Sequence, residues 1–366
     1  MKLMILDGNS IVNRAYYGIR QLNAPDGTPT NAVYGFLAIL QRLLDASSPD
    51  ALCVAFDLPA PTFRHKQYEE YKAQRKPMPD ELAVQMPLLK ELLSAMGIKQ
   101  LSAEGWEADD ILGTVARICE DGGWNCEIVT GDRDSFQLIT GKTDVIHIKT
   151  ARGKTETIDY NLARFEEEYG FAPPQMVDLK ALMGDASDNI PGVPGVGEKT
   201  ALDLIRRFGT VDSIYANLDT LDIKDAVRKK LSAGEESAKL SYELATISRE
   251  APVKLAPEDA EWHLEKTGEL LEVLKRLGFN RFIEKWGLGE EQAGTEGEES
   301  KAEALPELEL SPGEVIERIK AAGYVAVRPG EDMSELTLCD GEAVFGISQI
   351  TAGAEWNCLL YTSDAA

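Results

Sequence analysis

Three short apolar runs near the start of the chain each lead into aspartate. Leu3-Met4-Ile5-Leu6 is followed by Asp7, and the run 51–56 is followed by Asp57. The run 126–129 passes through Thr130 and Gly131 to Asp132 and Asp134. A fourth run covers 145–148, and helical patterns lie between the runs at 32–44, 82–96 and 108–119. Strands alternating with helices predict an α/β fold, a mostly parallel sheet with flanking helices. Open parallel sheets bind ligands beyond the carboxyl ends of their strands. Acids at three such ends therefore converge on one place.

Two more acidic groups join them. Glu107-Ala-Asp109-Asp110 opens a helix, and Asp185-Ala-Ser-Asp188 precedes a Gly/Pro stretch. One aspartate after a strand is ordinarily a turn or cap residue. Nine carboxylates in one cleft repel unless cations are present. Ligands that are all oxygen indicate a hard ion, Mg²⁺ or Mn²⁺, and the crowding suits two ions that clamp the attacking and leaving oxygens of a phosphodiester. Calcium storage is the rival, but the sequence has no Asp-x-Asp-x-Asp-Gly loop. The histidines are His65, His147 and His263, and the cysteines at 53, 119, 126, 339 and 358 form no CxxC pair. Histidine triads, zinc sites and a disulfide framework are therefore disfavoured, and a reducing cytoplasm is expected.

Net charge is −24 over 366 residues, which taken alone argues against a nucleic-acid partner. Residues 291–366 hold 4 Lys+Arg against 16 Asp+Glu, so half of the excess lies there. Cations gather elsewhere. Arg64, Lys66, Lys72, Arg75 and Lys76 fall within thirteen residues, interleaved with Tyr68 and Tyr71. Such groups contact phosphates and stack on bases, although a solvated loop has the same composition. Gly192-Val193-Pro-Gly195-Val-Gly197-Glu-Lys199-Thr200 leads into a helix at 198–208. Its backbone N–H groups make a phosphate site that reads no sequence.

From about residue 161 the pattern is helical, with further helices at 224–232, 235–247 and 267–277. Residues 289–306 are acidic and lack apolar periodicity, as a solvated linker does. Beyond them, 312–322 reads as a helix and 324–328 and 336–346 as strands, the opening of a third domain cut short. No run approaches the roughly 18 apolar residues of a membrane span, and no signal peptide is visible.

With acids, basic insertion and hairpin in this order, the chain resembles the 5′-nuclease domain found at the N-terminus of bacterial DNA polymerases I, relatives of the flap endonucleases. The resemblance rests on Leu6-Asp-Gly-Asn-Ser10, Arg14-Ala-Tyr16, Phe56-Asp57, Thr62-Phe-Arg64, Tyr71-Lys72, Pro77-Met-Pro79, Glu107-Ala-Asp-Asp110, Thr130-Gly-Asp-Arg-Asp134, Leu182 to Gly192 and the hairpin. It implies a PIN-like catalytic domain at 1–165 whose basic segment 62–80 forms an arch. A helix–hairpin–helix DNA-binding subdomain at 166–288 follows, then the linker 289–306. By the same resemblance residues 307–366 would be a truncated, degenerate 3′-5′ exonuclease-like domain, since Tyr324 to Gly330 lacks the Asp-x-Glu pair expected there.

The resemblance further implies a structure-selective 5′-3′ exonuclease and flap endonuclease that acts on DNA and RNA primers. Asp7, Asp57, Glu107 and Asp109 would hold one Mg²⁺, with Asp110 close by. Asp132, Asp134, Asp185 and Asp188 would hold the other, and Mn²⁺ could substitute. Arg14 and Lys72 would serve the scissile phosphate. Arg64, Tyr71, Lys72, Arg75 and Lys76 would line the arch. Gly192, Val193, Gly195, Gly197, Lys199 and Thr200 would grip duplex, with K⁺ at the hairpin. The partner is DNA carrying a 5′ flap, a nick or a primer, with polymerase activity in cis in the full-length family protein and no membrane. Two rivals remain: a PIN-type single-strand RNase, disfavoured by the hairpin, and a catalytically silent DNA-junction binding module.

Overall fold

The computed structural model describes residues 1–151 and 154–288, and the short stretches 307–308, 314–315, 326–329, 335–339 and 344–348. Residues Met1–Glu291 form one compact unit and Gln292–Ala366 another.

The first unit is built on a six-stranded sheet of order β3-β2-β1-β4-β5-β6: β1 Lys2–Asp7, β2 Ala51–Ala55, β3 Lys99–Leu101, β4 Asn125–Thr130, β5 Thr143–Ala151 and β6 Lys154–Tyr160. The first five are parallel and β6 runs antiparallel to β5. Strand β1 is buried on both faces. Leu3 and Ile5 pack into one apolar cluster with Ile111, Val115 and Ile128. Met4 and Leu6 pack into the other with Phe36, Leu40 and Leu274. Each buried Leu or Ile contributes about 1.5–3 kcal/mol, so the central strand is fixed firmly.

Helices cover the sheet: α1 Gly8–Gly18, α2 Asn31–Ser47, α3 Phe63–Gln67, α4 Asp80–Ala83, α5 Gln85–Ala95, α6 Ala108–Asp121 and α7 Leu162–Tyr169. A helical half follows with α8 Gln175–Met183, α9 Glu198–Phe208, α10 Val211–Ala216, α11 Asp225–Ala233 and α12 Glu235–Ala245. Then α13 Gly268–Leu277 and α14 Asn280–Trp286 return to the sheet, where Leu274 and Phe282 join the cluster around Met4. The single helix expected at 82–96 is two, because the chain breaks at Val84. Among the described residues no helix is long and apolar enough to cross a membrane.

Chain order places the site. From β1 the chain moves to β2 and β3 on one side and later returns to β4 and β5 on the other, so the sheet reverses direction between β1 and β4. That switch point is where a doubly wound sheet opens a crevice. In the register, Asp7 lies beside Ala55, and Leu6 beside both Val54 and Val129, so all three aspartate-bearing strand ends share one edge.

The second unit contains a sheet of order β7-β10-β9-β8, from β7 Glu307–Leu308, β8 Ala326–Pro329, β9 Glu335–Cys339 and β10 Val344–Ser348. The run expected as strand over 336–346 contributes to two antiparallel strands, β9 and β10. Of the helix expected at 312–322, only positions 314 and 315 are described, and both are helical. The expected linker 289–306 lies outside the described residues.

Candidate active site

At the switch point Asp7 ends β1 and caps α1. Its Oδ1 accepts from the Ser10 N–H at 2.9 Å and its Oδ2 from Thr130 Oγ1 at 3.0 Å, which ties β1 to β4 across the crevice. Beyond β4 the Asp132 N–H donates to Thr130 Oγ1 at 3.1 Å, and Asp132 Oδ1 accepts from the Asp134 N–H at 3.0 Å. From the second strand end, Asp57 Oδ1 accepts from the Ala108 N–H at 2.8 Å and so holds the first turn of α6. Asp109 stands in that turn with its buried Oδ1 unpartnered.

Asp7 and Asp109, at the centre, make no ion pair among the described residues. Burial, then the neighbouring Asp57 charge, pushes the Asp7 pKa up to about 7. Burial and the charges of Asp7 and Asp132 hold Asp109 well above the carboxylate range. Burial and Asp132 raise Asp134 to about 7. Carboxylates that crowd together at such a cost are poised for a cation.

The outer acids are neutralised by side chains instead. Lys72 Nζ reaches Glu107 at 2.6 Å and Asp188 at 3.7 Å, and Arg75 holds Asp188 at 2.5 Å. Lys180 Nζ pairs with Asp134 and with Asp185, the latter at 2.5 Å. As these side chains are posed, no three Asp, Glu, His or Cys residues among those described stand together as ligands of one ion. The spread acids and their cations form one neutralised rim around an unneutralised centre.

Three residues depart from expectation. Arg64 does not face outward on an arch; it is 2 % exposed. Its guanidinium meets Asp110 through two bonds at 2.8 Å, Glu107 at 3.0 Å, and the carbonyls of Leu244 and Thr246 at 3.0 and 2.6 Å. Asp110 is 0 % exposed, and its oxygens also accept from the Ser248 and Glu107 N–H groups, so it is an anchor for Arg64 and is withdrawn from the metal set. Tyr71 is 3 % exposed and donates its hydroxyl to Glu107 at 3.0 Å, which leaves no ring face for a base. The reason is common to all three: segment 62–80 folds back over Glu107 and Asp188 through α3 and a run of turns. Lys72 holds φ +55° there, a left-handed conformation costing about 1–2 kcal/mol and maintained by its ion pairs. Lys76 stays exposed, as does half of the Arg75 side chain.

Arg14 lies one turn beyond Ser10 on α1 and donates to the Gly131 carbonyl. Burial lowers its pKa against the raising charges of Asp132 and Asp7. A Cβ at Gly131 would fall within this guanidinium. Gly131→Ala is therefore expected to displace Arg14 and reduce the phosphodiester cleavage that the sequence resemblance implies about tenfold to a hundredfold, with Tm little changed because only a side-chain end must move. Parallel turnover and melting measurements check this; a large Tm loss with turnover per folded molecule intact would refute it.

The hairpin joins α8 to α9. Gly192 and Gly195 have φ +63° and +81°, and a side chain at Gly192 would strike the backbone of Met183 and Gly184. The Gly192 carbonyl accepts from Ser237 Oγ at 2.6 Å and the Gly195 carbonyl from Lys230 Nζ at 2.8 Å. A tethered ammonium thus already sits on one of the loop carbonyls that the expected K⁺ would share. Val193 is buried, so only its backbone can meet a ligand, whereas Gly195, Gly197 and Lys199 are exposed and Thr200 half-buried. Lys180 was not singled out from the sequence. Its spacing of five residues before Asp185 was the available signal.

The described family of 5′-3′ exonucleases matches in two parts, the N-terminal resolvase-like domain over residues 2–170 and the C-terminal SAM fold over 171–267. DNA polymerase I of Bacillus subtilis (strain 168) is 41 % identical over 299 residues, covering 82 % of this chain. That of Caldicellulosiruptor bescii is 43 % identical over 293 residues, covering 79 %. The chain spans about a third of the length of these relatives, 33 % and 34 %. Among solved structures, T5 5′-exonuclease with bound divalent metal ions (zinc) is 27 % identical with a TM-score of 0.55, covering 67 % of this chain and 89 % of that one. The catalytic core of Rad2 in complex with DNA substrate, 18 % identical with a TM-score of 0.50 over 78 % of this chain and 91 % of that one, shares the fold. A sheet with acids at its switch point, followed by a helical hairpin, is thus what the family signature spans, and the chain belongs to the 5′-3′ exonuclease family.

Proposed function

We propose that this chain is a Mg²⁺-dependent, structure-selective 5′ nuclease that cuts DNA at 5′ flaps and removes RNA primers, with Mn²⁺ able to replace Mg²⁺. The observation that carries this reading is the unneutralised centre: Asp7 and Asp109 raised in pKa at the switch point, with Asp109 Oδ1 unpartnered. An oxygen-only donor set lacking countercharge fits hard divalent cations. Asp7, Asp57, Glu107 and Asp109 would hold one ion, and Asp132, Asp134, Asp185 and Asp188 the other. When bound, such ions lower the pKa of attacking water and stabilise the leaving oxygen.

The chain's own groups do the rest. Arg14, fixed by the Gly131 carbonyl, and Lys72, fixed over Glu107, balance charge on the scissile phosphate. Arg75 and Lys76 flank the incoming strand. The N–H groups of the exposed residues Gly195 and Gly197, with Lys199 and Thr200 in the first turn of α9, hold duplex backbone without reading bases. In this reading 1–165 is the catalytic domain, 166–288 grips the duplex, and 289–306 links them to whatever follows. The relatives are DNA polymerases I, so a polymerase in cis belongs to the same proposal, as does a cytoplasmic setting.

The test is a 5′-labelled flap duplex and the matched single strand, each with Mg²⁺ or EDTA. Metal-dependent cutting at the flap junction that spares the single strand is expected. Tight flap binding without cleavage in Mg²⁺ or Mn²⁺ would make the chain a silent junction-binding module. Equal cutting of the single strand would favour an RNase-like activity.

A further inference from the structure

Lys180 is 8 % exposed, near the C-terminal end of α8, the first helix of the hairpin pair. Burying an ammonium is costly unless partners compensate. Here Asp134, from the loop after β4, and Asp185, from the turn after α8, both meet its Nζ. Two carboxylates on one Nζ supply that compensation, and the ammonium is held between them. Lys72 and Arg75 do the same for Glu107 and Asp188 from the basic segment, but Arg75 is half exposed and belongs to the strand path. Lys180 has no such outward role. It is a fixed positive charge inserted between two of the acids assigned above to the second ion.

We infer that Lys180 is a positioning residue, the built-in counter-ion of Asp134 and Asp185, and that it competes with a divalent cation for them and so sets the affinity threshold of the second metal site. This rests on the metal-dependent reading above. While the ammonium is in place, Asp134 and Asp185 are held in position without metal, and repulsion between them is suppressed. For a cation to enter, the Lys180 side chain must give up at least one carboxylate, so its charge opposes the second site and leaves the Asp7–Asp109 site nearly untouched. Because α8 also carries the hairpin, the same lysine ties the duplex-gripping half to the acids.

The experiment uses the full chain and Mn²⁺ as the probe, with binding followed by calorimetry and by the loss of free-ion paramagnetic signal, and melting followed in EDTA and in Mg²⁺. In wild type, two classes of Mn²⁺ site are expected, the weaker one lost in Asp134→Asn. Lys180→Met is expected to tighten the weaker class by at least about tenfold, since a unit positive charge at contact distance is removed. It should also lower Tm in EDTA and enlarge the Mg²⁺-induced rise in Tm. Lys180→Arg, which keeps the charge, should bind as wild type does and guards against a variant that merely folds poorly. A purely structural lysine would lower Tm without tightening Mn²⁺. Unchanged or weaker Mn²⁺ binding in Lys180→Met, with wild type binding two classes, overturns the inference and leaves the nuclease reading intact. Wild type without saturable Mn²⁺ binding overturns both.

Discussion

Asp109→Asn is expected to reduce metal-dependent flap cleavage by a factor of about 10²–10³ or more, while Tm of the metal-free protein rises by ~2–4 °C at pH 8. The two effects have one cause. Asp109 Oδ1 makes no hydrogen bond, so the amide deprives the fold of no partner. It does remove a carboxylate that burial and the charges of Asp7 and Asp132 hold well above its ordinary pKa. A carboxylate with a raised native pKa binds more protons in the folded than in the unfolded state. Its destabilisation is therefore absent at low pH and grows as pH rises through the native value. The stability gain of Asn over Asp should accordingly be larger at pH 8 than at pH 5. Melting curves of both proteins in EDTA across that range, alongside cleavage rates in Mg²⁺, check the prediction. Full activity in the variant would remove Asp109 from the site, and a fall in Tm would make it a structural acid.

The sheet and the centre of the site were legible because both follow from local rules. Apolar runs name strands, and an acid directly after a strand is placed at the sheet edge by the chain itself, as with Asp7 and Asp57. Strand β3, Lys99-Gln100-Leu101, was missed because its three residues carry no apolar run, and β6 because it is a polar edge strand pairing only with β5. The division of labour among charges was the least legible. Arg64 and Lys72 belong to the same cationic segment as Lys66 and Lys76, yet two turn inward to carboxylates and two remain exposed. Composition cannot separate them, since the partners come from residues far along the chain. Lys180 was hidden the other way, one lysine within an otherwise unremarkable helix. Acids around the site are met from within by Arg64, Lys72, Arg75 and Lys180.

Arg64→Leu is expected to destabilise the protein by about 3–5 kcal/mol, the largest stability effect of any substitution considered, because it leaves Asp110 buried without its cation and Glu107 with Lys72 alone. The guanidinium joins three parts of the first unit. It lies in the first turn of α3 at the base of the basic segment, pairs with the opening turn of α6, and bonds to Leu244 and Thr246 where the chain leaves α12. Planarity matters, since five acceptors are met by one rigid fork, and a lysine there would satisfy fewer of them. Arg64→Lys should therefore be intermediate. The double variant Arg64→Leu/Asp110→Leu should recover part of the loss, because removing both buried charges costs less than orphaning one. Denaturant melts of the four proteins give the coupling energy directly. If the single leucine variant costs under about 1 kcal/mol, Arg64 is not the clamp drawn here. If it folds normally but loses DNA affinity in proportion to salt, its place is on the DNA after all. The clamp also bears on catalysis without touching substrate. Asp110 and Glu107 sit at the same helix end as Asp109, so loosening Arg64 should blur the position of Asp109, and cleavage per folded molecule should fall together with stability.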